Sequence, residues 1–251
     1  MKIFKSIARI ALILTVLVFV VVAMVIIPKQ QCNKVIVTPH TQNESVVLTS
    51  EDVLSMIRNA GIETIGVKAK EVDVAKIQHI LQANPYVKEV NYVRLAGTTL
   101  MIDYTLRPIV LHVFNNQGEQ YFVDKEGFII PYSPKMTDYM MVANGNINQS
   151  YRKLNKASKD LASVVQLTNE ILSNDFDAAQ YRQIYVTENH QLNLVTTIGQ
   201  QKILFGTIDN ATEKLDNLRN VYKNGFSRKG YDTYAQLDVR CKNRVIAQRK
   251  Q

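Results

Sequence analysis

The sequence of 251 residues has room for one or two ordinary domains, and its 46% of apolar and 21% of charged residues exclude a mainly disordered chain. The formal net charge is +8, but three basic residues precede an apolar N-terminal segment and every acidic residue follows it. The remaining excess, 27 basic minus 22 acidic residues, forms no dense cluster, so it is poor evidence for nucleic-acid binding and suits an anionic membrane surface.

Two cysteines, Cys32 and Cys241, lie near opposite ends of the sequence. They provide no disulfide framework, because a small domain held by disulfides needs several bridges. A bond between them would also require the two ends of the chain to meet. Two unpaired thiols are therefore favoured over a Cys32–Cys241 bond.

An apolar segment without a charge runs from Ile10 to Ile27. A helix of this length spans roughly 27 Å, close to the thickness of the hydrocarbon core of a bilayer. We predict a transmembrane helix at residues 10–28 after a cytoplasmic tail at residues 1–9, because basic residues before the segment outnumber those just after it. The alternatives are a cleaved secretory signal and a lipoprotein signal ending at Cys32, but neither cleavage pattern is present.

A short linker, residues 29–34, leads to a segment with the pattern of a small α+β unit, residues 35–107. "KVIVTPH" is typical of a strand, and "LTSEDVLSMIRNAG" predicts a helix with Thr49 and Asp52 at capping-box spacing. "KEVDVAKIQHILQANP" predicts a second helix, and two strands joined by a turn at Gly97 follow it. The order strand, helix, helix, strand, strand indicates a compact α+β unit.

The boundary to a second domain, residues 108–251, is predicted at Arg107 and Pro108. "IVLHVF", "EQYFVD" and "FIIP" indicate short strands separated by turn residues, which favours a meander and an antiparallel-type sheet. "KDLASVVQLTNEILSND" and "NATEKLDNLRNVYKNG" each carry an apolar helical stripe, with further strands between them. The predicted fold class is α+β, with two helices packed on a mixed β domain.

The last segment, "YAQLDVRCKNRVIAQRKQ", begins with the alternation of a half-buried strand. Leu237, Val239 and Cys241 fall on its apolar side, so a buried and inert thiol is predicted at Cys241. Such a strand pairs with a neighbour. Periodicity alone fits an internal strand of the sheet as well as an edge that receives another chain.

The sequence lacks the usual signatures of an active site. Its four histidines lie at least 33 residues apart, without a second ligand type at metal-binding spacing. Nucleophile-elbow, dinucleotide-binding and P-loop motifs are absent. Paired carboxylates such as Asp175 and Asp177 fall at a helix start, where capping is the expected role. We predict a binding protein that is not an enzyme, with no catalytic, cofactor-binding or metal-binding residues.

Four stretches of the sequence occur in an order typical of a known protein family. They are "ILQANPYVKEVNYVRLAGTTLMIDYTLRPIVLHV", "YFVDKEGFIIPYS", "VANG" and "LDVRCKNRVIAQRK". Through these stretches and their order, the chain resembles the bacterial cell-division family FtsQ, called DivIB in some bacteria. The first stretch is similar to the end of a POTRA domain, the second to the opening of the family's β domain and the last to its terminal strand. The chain departs from the family pattern at Cys241, where an aromatic residue is usual, and at Ala96–Thr99, which lacks the usual proline.

The resemblance implies an inner-membrane protein of the division septum, with a cytoplasmic N-terminus, a POTRA-like domain at residues 35–107 and most of the chain in the periplasm. It implies a scaffold that links early division-ring proteins to septal peptidoglycan synthesis through FtsB-like and FtsL-like proteins. The resemblance also implies contacts between this protein and components of the septal peptidoglycan synthase. Neither nucleic acid nor a small-molecule substrate is expected.

In the family, an FtsB segment adds to the sheet edge near the C-terminal strand, where unpaired N–H and C=O groups are exposed. The resemblance thus implies a set of partner-binding residues: Arg240, Cys241, Asn243, Arg244, Val245, Ile246, Ala247 and Gln248. We expect the last four to supply the backbone edge and the first four to shape the preceding turn. Arg240 is expected to pair with an acidic residue of the partner.

Three other functions fit part of the pattern. A POTRA-bearing component of protein export or outer-membrane assembly would usually carry repeated POTRA units or a barrel-like strand array, and neither is evident. A membrane-anchored cell-wall hydrolase would need a catalytic cluster assembled from distant residues. The N-x-S/T sequons at Asn43, Asn148 and Asn210 would permit a eukaryotic type II surface protein, but chance matches of this number are unsurprising.

Overall fold

The computed structural model of the chain describes residues 11–22, 31–152, 156–226 and 230–250. Residues 11–22 form helix α1. The remainder of the predicted transmembrane helix, residues 10–28, and the predicted cytoplasmic tail, residues 1–9, lie outside the described residues. Within the described ranges, no helix has both the length and the apolar composition that a membrane crossing requires. The membrane span stays a prediction.

The chain folds into two compact units. One unit comprises the chain up to Thr41 together with Leu48–Leu106, and the other comprises Gln42–Val47 together with Arg107–Gln251. The short segment Gln42–Val47 therefore belongs with the C-terminal unit, although both of its sequence neighbours belong to the N-terminal one. No sequence pattern predicts that Gln42–Val47 belongs to the C-terminal unit.

Polar contacts hold this short segment in the C-terminal unit. The carboxylate of Asp138 accepts hydrogen bonds from the backbone N–H groups of Glu44 at 2.8 Å and Ser45 at 2.6 Å. The side chain of Asn43 bonds to both the C=O and the N–H of Ile109, at 2.9 and 3.0 Å. These contacts satisfy backbone groups that would otherwise be unpaired at the start of the C-terminal sheet.

The N-terminal unit is a three-stranded sheet with two helices packed on one face. Its elements are β1 (Lys34–His40), α2 (Ser50–Asn59), a 3-10 turn (Ala69–Glu71), α3 (Val74–Gln82), β2 (Val87–Ala96) and β3 (Thr99–Leu106). The strand order is β1-β3-β2, with β1 parallel and β2 antiparallel to the central β3. This confirms the predicted order of strand, helix, helix, strand and strand.

Local sequence determines where the two helices begin. The side chain of Thr49 accepts a hydrogen bond from the N–H of Asp52, and the Asp52 carboxylate accepts one from the N–H of Thr49 at 2.9 Å. This confirms the predicted capping box. Asp73 caps α3 by accepting from the N–H of Lys76 at 2.9 Å. Gly97 adopts a φ of 61° in the turn between β2 and β3, a conformation that favours glycine.

The C-terminal unit is a nine-stranded sheet with helices on one face. Its strands are β4 (Ile109–Phe114), β5 (Gln120–Asp124), β6 (Ile129–Pro131), β7 (Met141–Gly145), β8 (Tyr181–Val186), β9 (Leu192–Thr196), β10 (Lys202–Gly206), β11 (Tyr234–Asp238) and β12 (Ile246–Arg249). Its helices are α4 (Lys159–Leu172), α5 (Asp175–Gln180) and α6 (Ala211–Asn220), which continues into a π-helix (Val221–Phe226). The strand order is β12-β11-β10-β9-β8-β7-β4-β5-β6.

The sheet is mixed, which corrects the predicted antiparallel-type sheet. The meander prediction is confirmed for β4, β5 and β6, which are antiparallel neighbours. However, β4 pairs in parallel with β7, β7 with β8, and β10 with β11. The helices α4 and α5 connect β7 to β8, and α6 connects β10 to β11. A helical crossover returns the chain in its original direction, so the strands that it joins are parallel.

The core of the C-terminal unit lies between the sheet and its helices. Alternate strand residues such as Leu111, Ile203 and Leu237 are fully buried and pack with helical residues of the same cluster, including Leu167 and Leu218. The opposite face of the sheet is more open, since Phe114 and Tyr185 are each 42% exposed there. The two marginal strands differ in burial, since all four residues of β12 are exposed whereas two of the three residues of β6 are buried.

A buried ion pair organises the turn after β5. Asp124 is fully buried and accepts hydrogen bonds from the N–H groups of Glu126 at 3.0 Å and Phe128 at 2.7 Å. Arg107 donates to the same carboxylate at 3.0 Å, and its guanidinium stacks 3.6 Å from the centre of the Phe128 ring. Burial raises the pKa of Asp124, although these donors oppose the shift.

Candidate partner-binding edge

The two C-terminal strands form one margin of the nine-stranded sheet. β12 is the last strand in the order and pairs antiparallel with β11, with Leu237 opposite Ala247 and Asp238 opposite Ile246. All four residues of β12 are exposed. In the part of the chain that the structure describes, no strand pairs with the other side of β12.

The eight predicted partner-binding residues lie together in the turn before β12 and in β12 itself. Arg240, Cys241, Asn243 and Arg244 belong to the turn. Val245 is partly buried and packs against the core of the C-terminal unit. Ile246, Ala247 and Gln248 lie in β12. The structure therefore brings the whole set to one sheet margin, and the role of the set in partner binding stays a prediction.

Asp238, the last residue of β11, holds the start of the turn. Its carboxylate accepts hydrogen bonds from the N–H of Arg240 at 3.0 Å and from the guanidinium Nε and Nη2 atoms at 2.9 and 2.6 Å. The side-chain hydrogen bonds from Arg240 lower the pKa of Asp238, and the carboxylate raises the pKa of the guanidinium. The guanidinium expected to meet an acidic partner is thus engaged by a carboxylate of its own chain.

The stem of Arg240 also passes close to a glycine on the neighbouring strand. Gly206, at the end of β10, has a φ of 80°, and a Cβ atom there would lie 3.0 Å from Cγ of Arg240. Both the backbone conformation and the close approach favour glycine at this position. Arg240 therefore fixes the turn against the sheet.

Cys241 is exposed and lies in the turn, so the prediction of a buried thiol on a strand face is wrong. The alternation holds through Leu237 and Val239, which are 0% and 2% exposed. Beyond them the chain reverses, because Asn243 adopts a left-handed φ of 59°. Cys32 is buried in the N-terminal unit, and both thiols are unpaired, as predicted.

The backbone groups of β11 divide between its two neighbours. The N–H of Val239 donates to the C=O of Leu204 in β10 at 3.1 Å. Successive residues of a strand direct their N–H and C=O groups to opposite sides. Odd-numbered residues at this end of β11 therefore face β10, and the even-numbered residues Gln236 and Asp238 face β12.

The same alternation identifies the unpaired side of β12. Gln248 lies opposite Gln236 and Ile246 lies opposite Asp238, so these even-numbered residues bond back to β11. The N–H and C=O groups of Ala247 point away from the sheet, and those of Arg249 do the same. The free side of β12 is thus a short row of donors and acceptors to which another strand can add.

The opposite margin of the sheet is less suitable for strand addition. β6 has three residues and ends in Pro131, which has no N–H to donate. β12 contains no proline. A short strand that ends in proline is one of the ways in which proteins block a sheet edge. Of the two margins, β12 is therefore the open one.

Basic side chains surround β12. Besides Arg240, which pairs with Asp238, four exposed basic residues lie in the turn or the strand or directly after it: Lys242, Arg244, Arg249 and Lys250. Nζ of Lys250 lies 3.5 Å from the carboxylate of Asp232, which is itself 89% exposed. Within the described residues, neither Arg244 nor Arg249 forms an ion pair. This margin therefore carries uncompensated positive charge.

Two residues of this margin are missing from the set predicted from the sequence. Asp238 holds the start of the turn through Arg240. An acidic and a basic residue two positions apart are the sequence signal that could have indicated this contact. Arg249 presents outward backbone groups, and the two-residue period from Val245 through Ala247 leads to it.

The C-terminal unit also contains a buried carboxylate that no sequence pattern indicates. Asp177 is 1% exposed and lies 3.4 Å from Nη1 of Arg219. Neither of its carboxylate oxygens has a hydrogen-bond donor among the described residues, and burial raises its pKa to about 6. The start of α5 is capped instead by Asn174, which accepts from the N–H groups of Phe176 and Asp177. The predicted capping role of the Asp177 carboxylate is therefore wrong.

Comparison with known protein families gives two adjacent matches. Residues 107–248 match the family described as FtsQ/DivIB, C-terminal related, and residues 30–105 match the family described as POTRA-like domain. The first match alone covers more than half of the chain. No curated protein matches the chain significantly.

Proposed function

The chain belongs to the FtsQ/DivIB family, and from this membership we propose that it is a non-enzymatic scaffold of the bacterial division machinery. Its proposed place is the inner membrane at the division septum, with a cytoplasmic N-terminus and most of the chain in the periplasm. The family membership supports a role in cell division. The apolar segment at residues 10–28 and the basic residues before it support the membrane location.

The proposed activity is capture of an FtsB-like protein by strand addition at β12. FtsL-like proteins and septal peptidoglycan synthase components would join the assembly through this contact. One observation carries the proposal: the backbone groups of Ala247 and Arg249 point away from the sheet on a proline-free margin strand. An added strand would satisfy these groups and would extend the sheet by one strand.

The side chains near β12 indicate which partner strand would fit. Ala247 lies opposite the buried Leu237, so Ile246 and Gln248 lie on the open face of the sheet. Ile246 is 51% exposed and offers an apolar contact there. Arg244 and Arg249 favour a strand flanked by acidic residues. We therefore propose that an apolar residue and flanking carboxylates characterise the bound segment.

A pair of variants at one position tests this proposal. Ala247→Pro removes the outward N–H, and Ala247→Val keeps it while adding comparable bulk. The full-length chain in detergent is immobilised, and its affinity for the FtsB-like protein of the same organism is measured. We expect Ala247→Pro to lower the affinity at least about tenfold, because a ladder hydrogen bond is lost and the proline ring obstructs the partner strand. Affinity within about threefold of the parent chain is expected for Ala247→Val.

Circular dichroism of both variants provides the control for folding. Undiminished capture by a folded Ala247→Pro chain would contradict strand addition at β12. Equal loss in both variants would indicate a steric effect at position 247 instead of a missing donor.

The proposed membrane anchor has its own test. Deletion of residues 1–28 should leave a soluble chain that still captures the partner, because the edge lies in the C-terminal unit. Solubility is measured by fractionating cells that produce the full-length chain and cells that produce the shortened chain. Loss of the fold on deletion would count against this division of roles.

A further inference from the structure

An open strand edge accepts extended chains with little selectivity, and β12 of another copy of this protein is one such chain. Two copies can align antiparallel about a twofold axis at Ala247. Ala247 then lies opposite Ala247 of the second copy, and Val245 lies opposite Arg249. The outward N–H and C=O groups meet in this register, and neither strand contains proline. Backbone geometry alone therefore does not exclude self-pairing.

The charges of the same segment oppose this arrangement. Arg244 and Lys250 lie just beyond the two ends of β12. When the twofold register is continued past these ends, Arg244 lies opposite Lys250 of the second copy, and the symmetry repeats this contact at the other end. Like charges opposite each other in a sheet are destabilising. Asp232 lies 3.5 Å from Nζ of Lys250 but is almost fully exposed, so it compensates little of this charge. Arg249 adds a further positive charge to each strand.

We propose that Arg244, Arg249 and Lys250 keep β12 available to its partner by rejecting a second copy of the chain. This inference rests on the proposed function, because it concerns the specificity of the same edge. A strand with acidic flanks meets attraction where a second copy meets repulsion. The three residues thus act on partner choice through charge, while the backbone of β12 supplies the hydrogen bonds.

Salt provides a diagnostic response. Exposed charges are screened over about 8 Å at physiological ionic strength and over shorter distances at higher salt. Raising the salt concentration should therefore promote self-association of the parent chain and weaken its capture of an acidic strand. An edge governed by backbone contacts alone would respond to salt in neither way.

The decisive experiment neutralises the three charges in the full-length chain. The variant Arg244→Gln/Arg249→Gln/Lys250→Gln is compared with the parent chain in detergent by sedimentation velocity over a concentration series. Removing two opposed like-charge pairs should raise the dimer association constant roughly 2- to 30-fold. A control with the same change of net charge, Arg58→Gln/Lys68→Gln/Lys70→Gln in the N-terminal unit, should behave like the parent chain.

A fourth substitution tests whether the dimer uses β12. Adding Ala247→Pro to the neutralised variant should abolish its dimer, because the outward ladder donor is lost. A dimer that survives this addition, or one that the control variant also forms, would overturn the inference. A neutralised variant that stays as monomeric as the parent chain would overturn it as well.

The register can be tested independently by crosslinking. In the neutralised variant carrying Cys241→Ser, the substitution Ala247→Cys should form an intermolecular disulfide. Residues that form a hydrogen-bonded antiparallel pair have Cα atoms about 5.5 Å apart, which suits a disulfide. Capture of the FtsB-like protein by the parent chain is measured in parallel. Intact capture together with a monomeric neutralised variant would refute only this inference, and absent capture would refute the proposed function.

Discussion

Replacing Asp177 by asparagine should stabilise the C-terminal unit at neutral pH. Burial raises the pKa of Asp177 from 3.8 to about 6, with Arg219 and Lys223 partly opposing the shift and Asp216 adding to it. Because the folded-state pKa is the higher one, ionisation disfavours the folded state, and stability falls as the pH rises from 3.8 to about 6. A shift of this size corresponds to about 3 kcal/mol at pH 7.

The variant removes this penalty and also the ion pair with Arg219, which keeps Asp216 as a partner. We therefore expect a gain of about 1–3 kcal/mol in the free energy of unfolding at pH 7, and almost none at pH 4, where the native carboxyl group is protonated. The exposed Asp175→Asn, in the same helix, is the matched control and should show neither effect.

The assay is urea denaturation between pH 4 and pH 8, followed by hydrogen exchange of peptides from α4 to α6. This readout separates the C-terminal unit from the rest of the chain. A variant that is less stable than the parent chain at pH 7 would refute the reasoning, since the carboxylate would then be a net source of stability. An equal difference at pH 4 and pH 7 would refute the assignment to ionisation.

Three further substitutions test local interactions. Thr49→Ala removes the capping box and should cost the N-terminal unit about 1 kcal/mol in urea denaturation. Arg107→Met leaves the buried Asp124 without its cation and should cost about 3 kcal/mol at pH 7, but less at pH 4, where that carboxyl group is more readily protonated. Arg240→Ala removes the partly exposed pair with Asp238 and should cost about 0.5 kcal/mol of C-terminal stability, with weaker partner capture from a looser turn.

Features that depend on adjacent residues could be predicted from the sequence. The capping box at Thr49 and Asp52 needs only two residues at fixed spacing, and the turn at Gly97 needs one residue that tolerates a positive φ. The alternating residues of β3 and the apolar stripes of α4 and α6 are likewise local patterns. These patterns were sufficient for the element order of the N-terminal unit.

Features that depend on distant residues could not be predicted in this way. The parallel pairing of β10 with β11 results from the crossover through α6, and the spacing of apolar residues does not indicate which strands will pair. The environment of Asp177 depends on Arg219, which lies 42 residues later on another helix. The alternation up to Val239 predicts a buried Cys241 one step later, but the turn that contains Asn243, with its left-handed φ of 59°, takes Cys241 off the strand.

The predicted site illustrates both cases. The stretch from Arg240 to Gln248 was identified from a family resemblance, and the backbone alternation within it follows from the register with β11. The engagement of Arg240 by Asp238 joins residues only two positions apart, so their spacing was a usable signal. The openness of the β12 margin depends on the strand order of the whole sheet and could not be read from composition or spacing.

Amide hydrogen exchange at single-residue resolution across residues 245–249 tests the central claim most directly. It is measured on the full-length chain with and without its FtsB-like partner. Without the partner, the amides of Ile246 and Gln248 should exchange more slowly than those of Ala247 and Arg249, because only the even-numbered pair bonds to β11. With the partner bound, the Ala247 and Arg249 amides should become protected. Unchanged exchange of these two amides in a saturated complex would contradict strand addition at this edge.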